Sequence, residues 1–251
     1  MRRATPQMDR LQHSCQPAGM LRLFTLATVI ATQATANCTS DAMIVFDGST
    51  SMAAIDMQIT TPRIDDARAA LRRALPQVER FRDIGLVTYG TGALDGCSNI
   101  TVRLAPQPQA AAPILREIEA MNPDGMTPLT AAVDQAAQAL RYRINPATIV
   151  LVTDGNETCG GTPCITARSL MAEAKDLTIH VIAFKFRFDV FGWNNPEQSA
   201  SGTDATVAKC LSDATGGLYT STETVEQLVT ALNQTLGCPL TGMKMQIKTR
   251  L

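Results

Sequence analysis

Three short segments carry oxygen-bearing side chains in a pattern that suits a hard cation. The first, Asp47-Gly48-Ser49-Thr50-Ser51, places one carboxylate and two hydroxyls at alternating positions. The second contributes Thr127, after the turn-rich stretch Asn122-Pro123-Asp124-Gly125-Met126. The third is Asp154, which closes the apolar run Thr148-Ile149-Val150-Leu151-Val152-Thr153. Short oxygen ligands on tight loops suit Mg²⁺, which keeps part of its water shell, or the similar Mn²⁺. Each segment alone has a plainer reading. Asp-Gly after a strand is an ordinary turn, serines cap helices, and Thr127 before Pro128 is a good helix start. Their order, each at the right end of its element, favours a metal site over three unrelated turns.

The elements that must position these residues alternate along the chain. Ala42-Met43-Ile44-Val45-Phe46 and 147–153 read as buried strands of a parallel sheet. Ile84–Tyr89 and Leu177–Phe184 read likewise, and Leu218-Tyr219-Thr220 as a short last strand. Ile100–Leu104 follows the second strand so closely that the two must pair as a hairpin, making it an antiparallel edge. Helices are expected from about Arg63, near 109–120, 128–141, 164–175 and 204–214, and over 222–236. This predicts an α/β fold: a doubly wound, mostly parallel six-stranded sheet with one antiparallel edge strand and helices on both faces, Rossmann-like in plan. In such sheets the working groups lie just past the carboxyl ends of the strands, where Asp47 and Asp154 fall.

The order Asp-x-Ser-x-Ser, then Thr, then Asp resembles the metal-ion-dependent adhesion site of von Willebrand factor type A (VWA) domains. Thr127-Pro128-Leu129 and Thr153-Asp154-Gly155 extend the match, and Arg63-Ile64-Asp65-Asp66-Ala67-Arg68 resembles the start of that family's first long helix. The resemblance spans about residues 41 to 236. Thr50 departs from it, since the family usually has glycine between the two serines. The resemblance implies that Asp47, Ser49, Ser51, Thr127 and Asp154 hold the ion directly or through water, with one position left for a partner protein's carboxylate. The chain then reads as a binding module and not an enzyme. A structural module stiffened by metal and disulfides is the alternative. A metal-dependent phosphohydrolase is disfavoured, because Ser49 stands where that chemistry needs an acid. A serine hydrolase is disfavoured because His180 lies mid-strand and no Gly-x-Ser-x-Gly is present.

The front of the chain reads as an export signal. It is basic at Arg2, Arg3, Arg10 and Arg22, apolar over Leu21–Ala31, and has a small-x-small site at Ala34-Thr35-Ala36. The apolar stretch is short of the ~20 residues a membrane span needs. The expected organisation is a signal peptide over 1–36, a VWA domain over 37–238 and a tail over 239–251, secreted or periplasmic, with no stable membrane span after cleavage. The whole chain has 22 basic and 23 acidic residues; cleavage leaves 18 and 22, a net of −4, with no footprint for nucleic acid. Six of the seven cysteines remain, an even number that points to disulfides in an exported chain. Zinc is disfavoured, because Cys159 and Cys164 have no second pair or histidine at ligand spacing. Cys38 precedes the first strand and Cys238 follows the last helix, so both fall at the bottom of the sheet and are expected to pair. Cys97, Cys159, Cys164 and Cys210 allow three connectivities. Lys185–Thr203 has no clear periodicity and leaves the fifth strand at the metal edge. Its rings, Phe186, Phe188, Phe191 and Trp193, are candidates for contacting a partner or for a local mini-core.

Overall fold

The computed structural model describes residues 40–55, 61–92, 96–185, 197 and 207–238. Six strands form one sheet: β1 (Asp41–Asp47), β2 (Ile84–Tyr89), β3 (Ile100–Gln107), β4 (Pro146–Thr153), β5 (Asp176–Phe184) and β6 (Tyr219–Thr222). Their order is β3-β2-β1-β4-β5-β6. Only β2 and β3 pair antiparallel; all other pairs are parallel. The helices are α1 (Arg63–Val78), α2 (Ala111–Glu119), α3 (Leu129–Ala139), α4 (Pro163–Glu173), α5 (Lys209–Thr215) and α6 (Val225–Leu236). The architecture is the expected mixed α/β sheet of VWA and Rossmann-like folds.

Strand periodicity divides the core in two. In β1, Ala42, Ile44 and Phe46 face one layer, packed with Ala67, Leu71 and Leu75 of α1 and Leu228 and Leu232 of α6. Met43 and Val45 face the other, packed with Val133 and Ala136 of α3 and Ala167 and Leu170 of α4. Because both faces are covered, these strands are apolar at every position rather than alternating. Asp47 ends β1 on the second face, where the apolar run gives way to the site. No helix among the described residues is long and apolar enough to cross a membrane.

Several boundaries differ from the sequence expectation, and β3 runs on to Gln107 where Leu104 was the expected end. The last strand lies at Tyr219–Thr222, later than expected, because an edge strand pairs through its backbone and tolerates Thr and Ser. A 3₁₀ turn over Thr50–Ala53, invisible to periodicity, joins the first loop to the approach of α1.

Arg68 ties α1 to the end of α2. It donates to the carbonyls of Ile118 (3.1 Å), Glu119 (3.2 Å) and Met121 (2.6 Å). These include helix-end carbonyls with no partner inside α2. Two disulfides close the top of the domain. Cys97–Cys159 joins the β2–β3 connection to the loop after β4, with Cα atoms 5.6 Å apart. Since β1 lies between β2 and β4, this bridge spans the loop that follows Asp47. Cys164–Cys210 joins the start of α4 to α5, with Cα atoms 4.9 Å apart. Cys238 is also disulfide-bonded, but Cys38 lies outside the described residues.

Candidate metal site

Register sets the site's geometry before any side chain is considered. Asp47 pairs with Tyr89, and Phe46 with Val152, so the ends of β1, β2 and β4 lie side by side. Asp47, Tyr89 and Thr153 therefore share one face of the sheet's upper edge. Asp47 is fully buried. One of its carboxylate oxygens accepts the Ser49 backbone N–H at 2.8 Å, and the other accepts the Thr153 hydroxyl at 2.6 Å.

A chain of short hydrogen bonds crosses from this carboxylate to the second. The Ser49 and Ser51 hydroxyls lie 2.9 Å apart, and the Ser51 hydroxyl donates to Asp154 Oδ1 at 2.6 Å. The other oxygen of Asp154 accepts from Arg63 Nη1 at 2.7 Å, in a nearly inaccessible ion pair. Four of the five candidate residues are thus joined directly. Thr127, also buried, makes no side-chain hydrogen bond among the described residues. Its loop is docked through the backbone instead. The Thr50 N–H and hydroxyl both donate to the Gly125 carbonyl, at 3.0 and 3.2 Å. Thr127 N–H donates to the Thr158 hydroxyl at 2.8 Å, and its carbonyl accepts the Thr158 N–H at 3.1 Å.

The loops pack closely enough to require two glycines. Gly90 adopts φ +73°, and a Cβ there would meet Ser49 N at 2.5 Å. A Cβ on Gly125 would meet the Gly90 backbone at 2.9 Å. Thr50, where the family usually has glycine, causes no conflict: it is outside the left-handed region and pins the loop to Gly125. Behind the site, buried Glu157 accepts the Thr130 N–H at 2.9 Å and the Cys159 N–H at 2.7 Å. It locks the Asp154 loop to α3.

Electrostatically the site holds two buried carboxylates against one guanidinium. Burial raises the Asp47 carboxyl above its ordinary range, against the hydrogen bonds from Ser49 and Thr153. Asp154 is raised by burial first and by the Asp47 charge second, and the ion pair with Arg63 does not fully offset them. Burial and the two carboxylates push the Tyr89 phenol well above 10. Its hydroxyl is buried beside Asp47 and Thr153. All the candidate ligands offer oxygen, and the charge is incompletely balanced. Such a site fits a hard divalent cation. Among the described residues no three His, Cys, Asp or Glu side chains converge on one point, so hydroxyls must supply part of any coordination shell.

Residues 42–157, just under half of the chain, match the family model of the von Willebrand factor type A domain. That segment is similar to VWA domains. Its relative YwmD of Bacillus subtilis, described as uncharacterised, is 25% identical over 193 residues, which cover 73% of this chain and 84% of that protein. The fold is similar to that of the pilus adhesin SpaC from Lactobacillus rhamnosus GG, with TM-score 0.58 and 12% identity. That likeness covers 79% of this chain but 30% of the adhesin. It is also similar to proximal thread matrix protein 1 of the mussel byssus, solved with zinc in its metal-ion-dependent adhesion site, with TM-score 0.52 and 18% identity. There the likeness covers 80% of this chain and 46% of that one. At these identities the structures speak to the fold alone.

Sequence reading missed Arg63, Thr153 and Tyr89 as members of the site. Thr153 had a signal, since it precedes Asp154 at the end of the same strand. Arg63 was visible only as the start of a helix. The rings Phe186, Phe188, Phe191 and Trp193 lie outside the described residues. Glu197, later in the same sequence segment, is described, and its carboxylate accepts the N–H groups of Cys164 (2.6 Å) and Ile165 (3.2 Å) at the start of α4.

Proposed function

We propose that this protein is an extracytoplasmic, divalent-metal-dependent module that binds a partner protein through an acidic side chain. The observation that carries the reading is the buried pair Asp47 and Asp154, joined through Ser49 and Ser51 and facing a single guanidinium. Asp47, Ser49, Ser51, Thr127 and Asp154 would hold Mg²⁺ or Mn²⁺. A bound cation, incompletely neutralised, supplies the positive charge that a partner's Asp or Glu completes. The protein's residues do the rest. Thr153 and the Ser49 N–H orient Asp47, Ser51 orients Asp154, and the Cys97–Cys159 bridge holds the flanking loops. Two disulfides among the described residues support an oxidising compartment. They fit export with a leader over 1–36 and a domain over 37–238. The adhesin and pilin structures of the same fold support protein binding over catalysis. The rings from Phe186 to Trp193 would help select the partner.

Calorimetry with Mg²⁺ tests the site. Wild type is expected to bind, and Asp47→Ala to lose binding while keeping the fold, because the sheet does not depend on that carboxylate. Equal affinity in the two proteins would sink the metal assignment. One observation favours a second reading, a structural module. The Arg63–Asp154 pair already neutralises one carboxylate without any metal. Capture of partners from the native extracytoplasmic fraction, with Mg²⁺ and then with chelator, separates the two: only the adhesion reading expects chelator-sensitive capture.

A further inference from the structure

A cavity of about 280 Å³ lies at the opposite end of the sheet from the metal loops. It arises from a mismatch of strand lengths. β5 has nine residues, but β6 pairs only with Val181 to Phe184, so among the described residues the first half of β5 has no strand on the edge away from β4. The end of α6 forms another wall, at Gln234, Thr235 and Gly237. Register places Thr148 of β4 beside Thr178 of β5, and Val150 beside His180. These polar side chains interrupt a sheet face that is otherwise core.

Arg82, just before β2, reaches into this row. Its Nη1 donates to the Thr148 hydroxyl at 3.0 Å, and that hydroxyl lies 3.0 Å from the Ser40 hydroxyl. Arg82 Nε is buried with no hydrogen-bond partner, and no carboxylate forms an ion pair with the guanidinium among the described residues. A desolvated guanidinium without an anion is costly, and its planar fork matches a two-oxygen edge. His180 stands beside it. Its Nδ1 accepts the Leu218 N–H at 3.0 Å, so the neutral ring carries its proton on Nε2. Asp176 also lines the cavity, at the exposed start of β5. The lining therefore offers a guanidinium, an imidazole N–H and adaptable hydroxyls, with its one carboxylate at the exposed rim.

We propose that this cavity binds a small oxyanion, held by Arg82 and His180 with the hydroxyls of Ser40, Thr148 and Thr178. The site is independent of the metal loops and of the function proposed for them. The test uses the full chain with inorganic phosphate or sodium acetate at constant ionic strength, chloride serving as reference. Saturable binding by calorimetry and a matching rise in Tm are expected for at least one anion. Preference for phosphate assigns a tetrahedral ligand, and preference for acetate a carboxylate. Affinity should fall about tenfold or more in Arg82→Gln, the loss expected for a charged hydrogen bond. It should be unchanged in Asp47→Ala, which touches only the metal loops. Should Arg82→Gln fail to fold, Thr178→Val and His180→Gln take its place, and each is expected to weaken binding. The proposal is overturned if wild type binds neither anion, or if the folded cavity variants bind as tightly as wild type.

Discussion

Arg63 puts a positive charge at the less favourable end of a helix. The first turn of α1 carries a partial positive charge, which favours Asp65 and Asp66 and opposes a guanidinium. Asp154 offsets that opposition from across the site, at 2.7 Å in a buried pair. The same contact places a built-in cation next to the candidate metal ligands. A divalent ion must then coexist with the guanidinium or displace it. Arg63→Met is expected to tighten Mg²⁺ binding while weakening the metal-free fold. Breaking a buried pair leaves one charge uncompensated and costs about 3–5 kcal/mol. Denaturation in chelator measures the stability change, and Mg²⁺ calorimetry measures the affinity. If the variant folds and binds Mg²⁺ no more tightly than wild type, Arg63 does not compete for the site. This residue also marks where sequence reading stops. Asp47, Ser49, Ser51 and Asp154 were legible because each sits where a strand must end. The Arg63–Asp154 pair was not, because an arginine opening a helix reads as solvated until tertiary packing buries it.

Elements show the same division. β1 and β4 were legible because a strand covered on both faces must be apolar throughout, and β3 because a short connection forces antiparallel pairing. The β5–β6 edge was less so, since its polar residues carry little pattern. His180 is the informative residue there. It looked like a packed strand histidine, and the structure gives it a specific task, accepting the Leu218 N–H just before β6. Burial first, and the nearby Arg82 second, lower its pKa from 6.5 to about 4. The folded state therefore favours the neutral ring. That contribution is fully present above pH 6.5 and is lost as pH falls from 6.5 toward 4. The slope is at most about 1.4 kcal/mol per pH unit for one proton. In chloride buffer, wild type should lose stability across this window, and His180→Gln, whose amide oxygen can still accept the Leu218 N–H, should show a shallower loss. Equal slopes in urea titrations of the two proteins would assign the pH dependence to other groups.

At the scale of the molecule, the question is how the two ends of the domain are held. Ser40, directly before β1, and Gly237, directly after α6, line the same cavity at the bottom of the sheet. The parallel topology requires this: β1 starts where the last helix returns after β6. Cys238 follows Gly237 and is disulfide-bonded. Among the cysteines at the top, pairing was ambiguous from sequence because three connectivities were open. The structure selects Cys97–Cys159 and Cys164–Cys210, which leaves none of those four for Cys238. Cys38, two residues before Ser40 in the sequence, is the expected partner, and we predict a Cys38–Cys238 clasp. It would close a loop around nearly the whole domain and, in the chain-entropy view, add on the order of 5 kcal/mol less any native strain. Non-reducing peptide mapping should recover a fragment joining the two cysteines. The double variant Cys38→Ser/Cys238→Ser should unfold at lower denaturant with the top disulfides intact. A map that joins Cys238 to Cys15, or leaves Cys38 as a free thiol, would reject the clasp and place the second anchor upstream of the expected cleavage site.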